Sequence, residues 1–228
     1  MKNAFSRRRA ITQTDTDQLG DRLELLLAAL NDQGKVLVIP HNDPDPDAIA
    51  SAVALQYMLQ QLTSHKVQIG YQGIIGRAEN RALVRYLNHP LVPMGSDIAA
   101  GKPVVFVDTQ PGTGNNPWQP SMLLAGVIDH HPFHPESSQA AFFDVRPGVG
   151  ATATIIFGYF RTLDLAIPTF LATALFYGIK TDTSGLSRGV TEADAIAYFQ
   201  LQSQMDTEAL GEIERAQVPA TYFKGFAS

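Results

Sequence analysis

Apolar residues along the chain fall into short continuous runs, separated by longer stretches with helical spacing. The short runs predict buried strands at residues 35–40, 66–71, 103–107, 126–128 and 140–145. The stretches with apolar residues three and four positions apart predict helices at residues 21–30, 48–62, 77–87, 151–163, 168–179 and 191–205. Strands that alternate with helices predict an α/β fold with a doubly wound, mostly parallel β-sheet flanked by helices.

The periodic pattern predicts one domain over residues 21–210, preceded by a polar tail at residues 1–20. Strong periodicity is lost after Gly211, and two interpretations of residues 211–228 stay open. One is a connecting segment that leads towards a further domain. The other is a C-terminal helix that packs back on the domain.

Composition narrows the classes of partner. Apolar residues make up 45% of the 228 residues and charged residues 17%, which is typical of a globular protein with a substantial core. The net charge is −5, so we expect no long nucleic-acid duplex as a partner, whereas a small phosphate-bearing substrate remains compatible. The chain has no cysteine, which excludes thiolate metal sites and a cysteine nucleophile. We expect a cytoplasmic protein without a membrane partner, since the apolar stretches are too short to span a bilayer.

Carboxylates and imidazoles follow the predicted strands at the points where these strands end. The group consists of His41, Asp45, Asp47, Asp108, Asp129, His130 and His131, and Asp182 follows a later helix. In an open parallel sheet, ligands bind beyond the carboxyl ends of the strands. Four separate stretches of sequence are therefore expected to deliver these side chains to one crevice.

So many carboxylates in one crevice would repel one another unless cations neutralise them. Carboxylates combined with imidazoles suit Mn²⁺ and related ions, with Mg²⁺ or Co²⁺ as alternatives. Two ions about 3.5–4 Å apart can activate water against a phosphate, and one carboxylate must then bridge them. Asp108 is the natural bridge, because it lies at the tip of a predicted central strand.

Four motifs carry a resemblance to a known family. They are HNDPDPDAIAS (41–51), VDTQ (107–110), DHH (129–131) and GIKTDTSG (178–185). In this order they resemble the motifs of the DHH phosphoesterase superfamily. Its members include RecJ-type exonucleases, nanoRNA/pAp phosphatases, cyclic-dinucleotide phosphodiesterases and manganese-dependent inorganic pyrophosphatases.

The resemblance implies two Mn²⁺ ions with Asp108 as their bridge. The implied ligands of the first ion are His41, Asp45 and Asp108. Those of the second ion are Asp47, Asp108, His130 and Asp182. His131 would face the substrate and bind the scissile phosphate, and Asp129 would orient a histidine, as metal-bound imidazoles usually require.

Further substrate contacts are predicted with less specific signals. Gly150, Ala151 and Thr152 lie at the start of a predicted helix, whose N-terminal amides can bind phosphate; the alternative is a plain glycine-rich turn with Thr152 as a cap or first-turn residue. Arg188, just after the fourth motif, is the preferred basic contact. Asp43 lies in the first motif but off its ligand pattern, and it is expected to be a loop carboxylate.

The resulting hypothesis is a metal-dependent phosphoesterase that acts on short oligonucleotides or small nucleotides, of the nanoRNA, pAp or cyclic-dinucleotide type. The alternatives are a manganese-dependent pyrophosphatase or polyphosphatase and a non-catalytic metal-binding module. Members of this superfamily typically carry a second, C-terminal domain that closes over the metal site. The resemblance implies that this chain lacks that domain, and it is compatible with a homodimer.

Overall fold

The structure is a computed structural model that describes residues 20, 23–30, 34–95 and 99–217. Within them the strands are β1 (Lys35–Ile39), β2 (Lys66–Tyr71), β3 (Leu91–Pro93), β4 (Pro103–Val107), β5 (Leu123–Asp129) and β6 (Phe142–Val145). The helices are α1 (residues 23–29), α2 (Pro46–Leu62), α3 (Ala78–Tyr86), α4 (Thr152–Thr162), α5 (Thr169–Asp182), α6 (Glu192–Gln202) and α7 (Thr207–Glu214). A short 3-10 helix spans Pro135–Gln139.

All six strands form one parallel sheet in the order β3-β2-β1-β4-β5-β6. The chain winds outward from β1 in one direction and from β4 in the other. The connections that leave the carboxyl ends of these two strands therefore diverge, and they open a crevice between them. This arrangement confirms the predicted α/β fold, and the sheet is parallel throughout.

The central strands are buried on both faces, as expected for a parallel sheet. In β1, Val36 and Val38 pack into the cluster that holds the buried side chains of helices α1–α7. Leu37 and Ile39 point the other way, into a smaller cluster. The described residues that pack over this second cluster, such as Trp118, all lie outside the helices. The helices thus lie on one face of the sheet and loop segments on the other.

Besides the short 3-10 helix, two elements were not predicted. Strand β3 has three residues, of which only Leu91 is buried, so its apolar run is too short to stand out. Helix α7 is separated from α6 by a turn that ends at Asp206, whose side chain accepts hydrogen bonds from the amides of Glu208 and Ala209. The predicted helix at residues 191–205 ran past the end of α6 into this turn, because apolar residues continue to Met205.

The predicted terminal segments are described only in part. Residues 1–19 of the predicted tail lie outside the described residues, and so do residues 218–228. Residues 211–214 complete α7, and Ile213 is buried in the main cluster. Within the described part of the chain, no helix has the length and apolar character needed to cross a bilayer.

Helices α2 and α5 approach each other closely at Gly178. A Cβ atom there would lie 3.1 Å from the Cα of Asp47 and 3.4 Å from the Cβ of Ala50. Any side chain at this position would therefore push α5 away from the N-terminal turn of α2. Gly158 in α4 has no atom within 4 Å of an added Cβ, although it is also a helical glycine.

These two glycines give a matched test of the packing. Gly158→Ala should raise the free energy of unfolding by about 0.5–1 kcal/mol, because alanine loses less backbone entropy in a helix. Gly178→Ala should lose that gain to crowding, and Gly178→Val should lower the stability by about 1–3 kcal/mol. Denaturant unfolding measures all three. Equal gains from both alanine variants would contradict the described contact between α2 and α5.

Candidate metal centre

The loop after β1 is shaped by the start of α2. Asp45 is the N-cap residue, and its Oδ1 accepts a hydrogen bond from the amide of Ala48 at 3.0 Å. Pro46 occupies the first turn, where a missing N–H is harmless and the fixed φ suits a helix. The first motif therefore combines a helix start with an acidic side chain at the crevice.

His41 points one nitrogen into this crevice. Its Nδ1 lies 2.7 Å from the carbonyl oxygen of Asn42, to which it donates. This leaves Nε2 facing Asp45 Oδ1 at 3.6 Å and Asp108 Oδ2 at 3.5 Å. Burial opposes protonation of the ring, but the two carboxylates outweigh it and raise the pKa of His41 to about 9.

Asp108 lies between two imidazoles at the end of β4. One oxygen faces His41, and the other lies 3.5 Å from Nε2 of His130 and accepts a 2.8 Å hydrogen bond from Thr152 Oγ1. Its backbone is left-handed, with φ of 58°, which is uncommon for a residue other than glycine and occurs often at functional sites. Asp108 thus lies between the two imidazoles, where the predicted bridge between two ions would have to lie.

A second set of side chains meets on the far side of Asp108. His130 Nε2 lies 3.4 Å from Asp182 Oδ2 at the end of α5. Asp47 is fully buried, and its two oxygens accept the amides of Thr152 and Ala153 at 2.7 and 2.8 Å. Ligand atoms of Asp47, His130 and Asp182 all lie within 4.8 Å of one another.

The structure therefore brings together all six side chains predicted as ligands. Ligand atoms lie within 4.8 Å of one another in the sets His41, Asp45 and Asp108; Asp47, His130 and Asp182; and Asp108, His130 and His131. The first set is the one implied for the first ion. The second set, with Asp108 beside His130, contains the residues implied for the second ion.

The charges of this cluster fit a divalent cation. Burial, reinforced by neighbouring carboxylates, raises the pKa of Asp108 and of Asp182 to about 7 and that of Asp47 well above its ordinary value. His130 donates through Nδ1 to the carbonyl of Val149 at 3.2 Å, while its Nε2 is buried without a hydrogen-bond partner. Carboxylates that resist ionisation and an unpartnered imidazole nitrogen are what a site for Mn²⁺-type ions provides.

His131 lies at the mouth of the crevice, with 53% of its side chain exposed. The carboxylate of Asp129 accepts its Nδ1 proton at 2.9 Å and raises the pKa of His131 to about 9. Asp129 thus orients His131, whereas the carbonyl of Val149 orients His130. The prediction that Asp129 orients a histidine did not specify which ring it holds.

Gln110 is a residue of this site whose role was not predicted. Its Nε2 donates to Asp129 Oδ2 at 2.7 Å and to the carbonyl of Pro132, and its Oε1 accepts from the amide of His134 and from Ser137. The side chain is fully buried. Its place as the last residue of the VDTQ motif, three positions after β4, was the available signal, but its partners lie 19 to 27 positions away.

The predicted phosphate-binding turn differs from the expectation. The amide of Gly150 donates to Asp194 and that of Thr152 to Asp47, so these amides bind carboxylates of the chain itself. Ala151 is fully buried and is the N-cap residue of α4, and Thr152 lies in the first turn, as the alternative of a plain turn allowed. The helix start therefore holds the candidate ligands Asp47 and Asp108 instead of presenting free amides to a substrate.

Arg188 and Asp43 occupy the surroundings of the crevice. Arg188 is exposed, and its Nη2 donates to the backbone carbonyl of Asp182 at 3.0 Å. Asp43 accepts the amide of Ile74 at 2.6 Å, which ties the loop after β2 to the first motif. Asp43 is thus a loop carboxylate, as its position off the ligand pattern indicated.

Comparison with known proteins places the chain in a family. The sequence profile described as the DHH family, N-terminal domain, matches residues 35–179, more than half of the 228 residues. The chain belongs to the DHH family. The match begins at β1 and ends in α5, so it covers three of the four motifs and the start of the fourth.

Individual relatives of this DHH domain carry several names. An uncharacterised protein of Methanocaldococcus jannaschii is 36% identical over 184 residues, which cover 80% of this chain and 37% of that protein. A probable manganese-dependent inorganic pyrophosphatase of Streptococcus pyogenes is 27% identical over 157 residues, 65% of this chain and 48% of that protein. The DHH chain spans less than half the length of these curated relatives.

Solved structures agree with the fold. A Methanococcus jannaschii protein assigned as a family II inorganic pyrophosphatase has a TM-score of 0.63 and 25% identity, covering 78% of this chain and 57% of that one. An exopolyphosphatase-related protein from Bacteroides fragilis has a TM-score of 0.60 and 16% identity, covering 96% and 66%. The second likeness shows the fold alone.

The electrostatics of the DHH centre predict how the metal-free protein responds to pH. Asp108 and Asp182 bind protons more tightly when folded, so their contribution to stability is largest at acid pH and falls as the pH rises to about 7. His41 and His131 also favour the folded state when protonated, and this contribution is lost as the pH rises through about 9. Both effects have the same sign between pH 6 and pH 9.

We therefore expect the melting temperature in the presence of EDTA to fall as the pH is raised over this interval. Saturating Mn²⁺ should raise the melting temperature more at pH 8 than at pH 6, because cations and protons compete for the same groups. Thermal unfolding with and without MnCl₂ measures both. A metal-free melting temperature that rises with pH would contradict this account of the cluster.

Proposed function

We propose that this DHH domain hydrolyses phosphate esters of small nucleotides or short oligonucleotides with two bound divalent ions, Mn²⁺ first among them. The observation that carries the proposal is the pair of ligand sets that share one crevice, with the buried carboxylate of Asp108 between them. Membership of the DHH family supports hydrolysis at phosphorus. A non-catalytic module would not need His131, oriented by Asp129 and half exposed beside the ligand sets.

Each residue then has a defined task. His41, Asp45 and Asp108 would hold one ion, and Asp47, Asp108, His130 and Asp182 the other. When bound, the two ions would neutralise phosphate charge and supply an activated water near neutral pH.

His131 would act directly on the substrate. Asp129 fixes its Nδ1 proton, so the free Nε2 is directed away from Asp129 and towards solvent. With its pKa raised to about 9, the ring carries a proton at neutral pH and can donate it to an oxygen of the substrate phosphate or to the leaving oxygen. Arg188 lies beside Asp182 and is our choice for a cationic contact to the substrate.

A second candidate is a pyrophosphatase or polyphosphatase. A curated relative and one solved structure are named as inorganic pyrophosphatases, and a second solved structure is named as exopolyphosphatase-related. Phosphoanhydride substrates bring several negative charges, which favours a site rich in basic side chains. Lys and Arg number 17 in this chain against 22 acidic residues. Two of the basic side chains in the described residues are already paired with carboxylates of the chain: Arg146 with Asp144, and Lys180 with Glu214. These features favour a less charged ester, such as the phosphodiester of a short oligonucleotide or a cyclic dinucleotide.

Asp108→Asn tests the metal mechanism. The variant keeps the size of the side chain but removes the charge that both ions would share. We expect kcat/KM with Mn²⁺ to fall by about 10³-fold or more. The metal-free fold should persist with an unchanged or raised melting temperature, because burial opposes the charge of Asp108.

Asp164→Asn is the matched control, since Asp164 also has a left-handed backbone, with φ of 50°, but follows α4 outside the crevice. It should retain full activity. Hydrolysis that survives Asp108→Asn and is lost in Asp164→Asn would rule out the assigned centre.

The substrate class is tested by direct comparison. With Mn²⁺, we expect dinucleotides or cyclic dinucleotides, whose phosphodiesters each carry a single charge, to be hydrolysed with a higher kcat/KM than inorganic pyrophosphate or polyphosphate, because acidic residues outnumber basic ones in the chain. Among the esters, pAp is the highly charged comparison. Phosphate or nucleotide release at matched concentrations gives the ratio. A higher kcat/KM for pyrophosphate would replace the first candidate with the second while leaving the metal centre intact.

A further inference from the structure

Asp194 is a fully buried carboxylate outside the four motifs and outside the region matched by the family profile. It lies in the first turn of α6, where it forms a capping box with Thr191: its Oδ2 accepts the amide and the hydroxyl of Thr191 at 2.7 and 2.6 Å. These contacts stabilise the start of α6 and would suffice for a capping role.

The carboxylate of Asp194 also reaches a second segment, 40 to 44 positions earlier in the chain. It accepts the amide of Gly150 at 3.0 Å and the hydroxyl of Thr154 at 2.7 Å. Local capping of α6 explains neither contact. Asp194 therefore ties the start of α4 to the start of α6.

The segment held in this way is the one that holds the candidate metal ligands. The carbonyl of Val149 accepts the Nδ1 proton of His130. The amides of Thr152 and Ala153 bind the two oxygens of Asp47. The hydroxyl of Thr152 binds Asp108. Residues 149–153 thus contact the side chains of three of the six candidate ligands, and Asp194 anchors this segment at 150 and 154.

The segment has little room to move towards α5 and the loop before α6. A Cβ atom on Gly150 would lie 2.7 Å from Thr183 Cγ2 and 2.9 Å from the carbonyl oxygen of Gly189. Glycine is required here because its neighbours occupy the space. The turn is therefore fixed by close packing on one side and by the Asp194 carboxylate at its amide.

We propose that Asp194 is a positioning residue for the second divalent ion, acting through segment 149–153 on Asp47 and His130. This inference rests on the proposed two-ion centre and adds to it a residue that touches neither ion nor substrate. His41 and Asp45, which complete the first set with Asp108, are held nearby in sequence, by Asn42 in the same loop and by Ala48 in the first turn of α2. Loss of the Asp194 anchor should therefore weaken the second ion more than the first.

The test is an Mn²⁺ titration of the full chain, followed by the EPR signal of free Mn²⁺, with thermal unfolding of each metal-free variant. The wild-type chain should bind two ions. Asp194→Asn places an NH₂ group among donors, so it should raise one of the two Kd values by about ten- to a hundredfold and leave the other within about twofold. Thr154→Val removes one donor to Asp194 and keeps its shape, so it should give a smaller change in the same direction.

Thr191→Ala is the matched control. It removes the hydroxyl that binds the same carboxylate from the α6 side, and it leaves the contacts to Gly150 and Thr154 in place. It should lower the melting temperature and leave both Kd values unchanged. A purely structural role for Asp194 would instead make ion binding follow the melting temperature in all three variants.

The outcomes separate the two levels of the proposal. If the wild-type chain binds two ions and both Asp194→Asn and Thr154→Val bind them equally well, the positioning role is wrong and the metal centre stands. If Thr191→Ala weakens the second ion as much as Asp194→Asn does, the positioning role is also wrong. If the wild-type chain binds fewer than two ions, the proposed centre fails and this inference fails with it. Should Asp194→Asn not fold, Thr154→Val against Thr191→Ala decides.

Discussion

The main constraint on this structure is the mutual repulsion of carboxylates that meet where the strand order of the sheet reverses. Asp47, Asp108 and Asp182 come from three different elements, and burial together with their neighbours raises the pKa of each. A fold that brings such groups together must hold each of them in place with other contacts, because otherwise the carboxylates would move apart. The same repulsion gives the crevice its affinity for cations, because a divalent ion removes the conflict that the fold creates.

The chain meets this constraint by giving three of the four carboxylates, Asp45, Asp47 and Asp108, an anchor of their own. Asp45 caps α2, Asp47 accepts two amides from the start of α4, and Asp108 accepts the hydroxyl of Thr152. Anchoring by N–H and O–H donors stabilises the charged oxygens while leaving their other lone pairs directed at the crevice. The centre is therefore preorganised, and its geometry is set by helix starts and a rigid parallel sheet instead of by the ions themselves.

The sequence was sufficient for the parts of the site that follow from topology. A parallel sheet carries its ligands at the carboxyl ends of the strands, so the positions of Asp45, Asp108 and His130 after strands predicted that they would meet. The sequence was insufficient where a polar group could form hydrogen bonds with any of several partners. The glycine-rich turn before α4 has the pattern of an anion site, but only the structure shows that Asp47 and Asp194 supply the anions. Gln110 and the short edge strand β3 were missed for related reasons: the partners of Gln110 are remote in sequence, and β3 has too few buried residues for its pattern to show.

The two ligand sets differ in how far they depend on the rest of the fold. His41 and Asp45 are four positions apart, and their anchors belong to the same loop, so most of the first set is formed by local structure that β1 and α2 define. The second set depends on contacts between residues that are far apart, since Asp47 binds amides 105 and 106 positions away. Loosening of the helical layer therefore separates Asp47 from α4 before it disturbs His41. If hydrolysis requires both ions, activity is linked to the packing of α4 against α2 and α6 through the second set. Buried residues outside the motifs then influence the reaction without approaching the substrate.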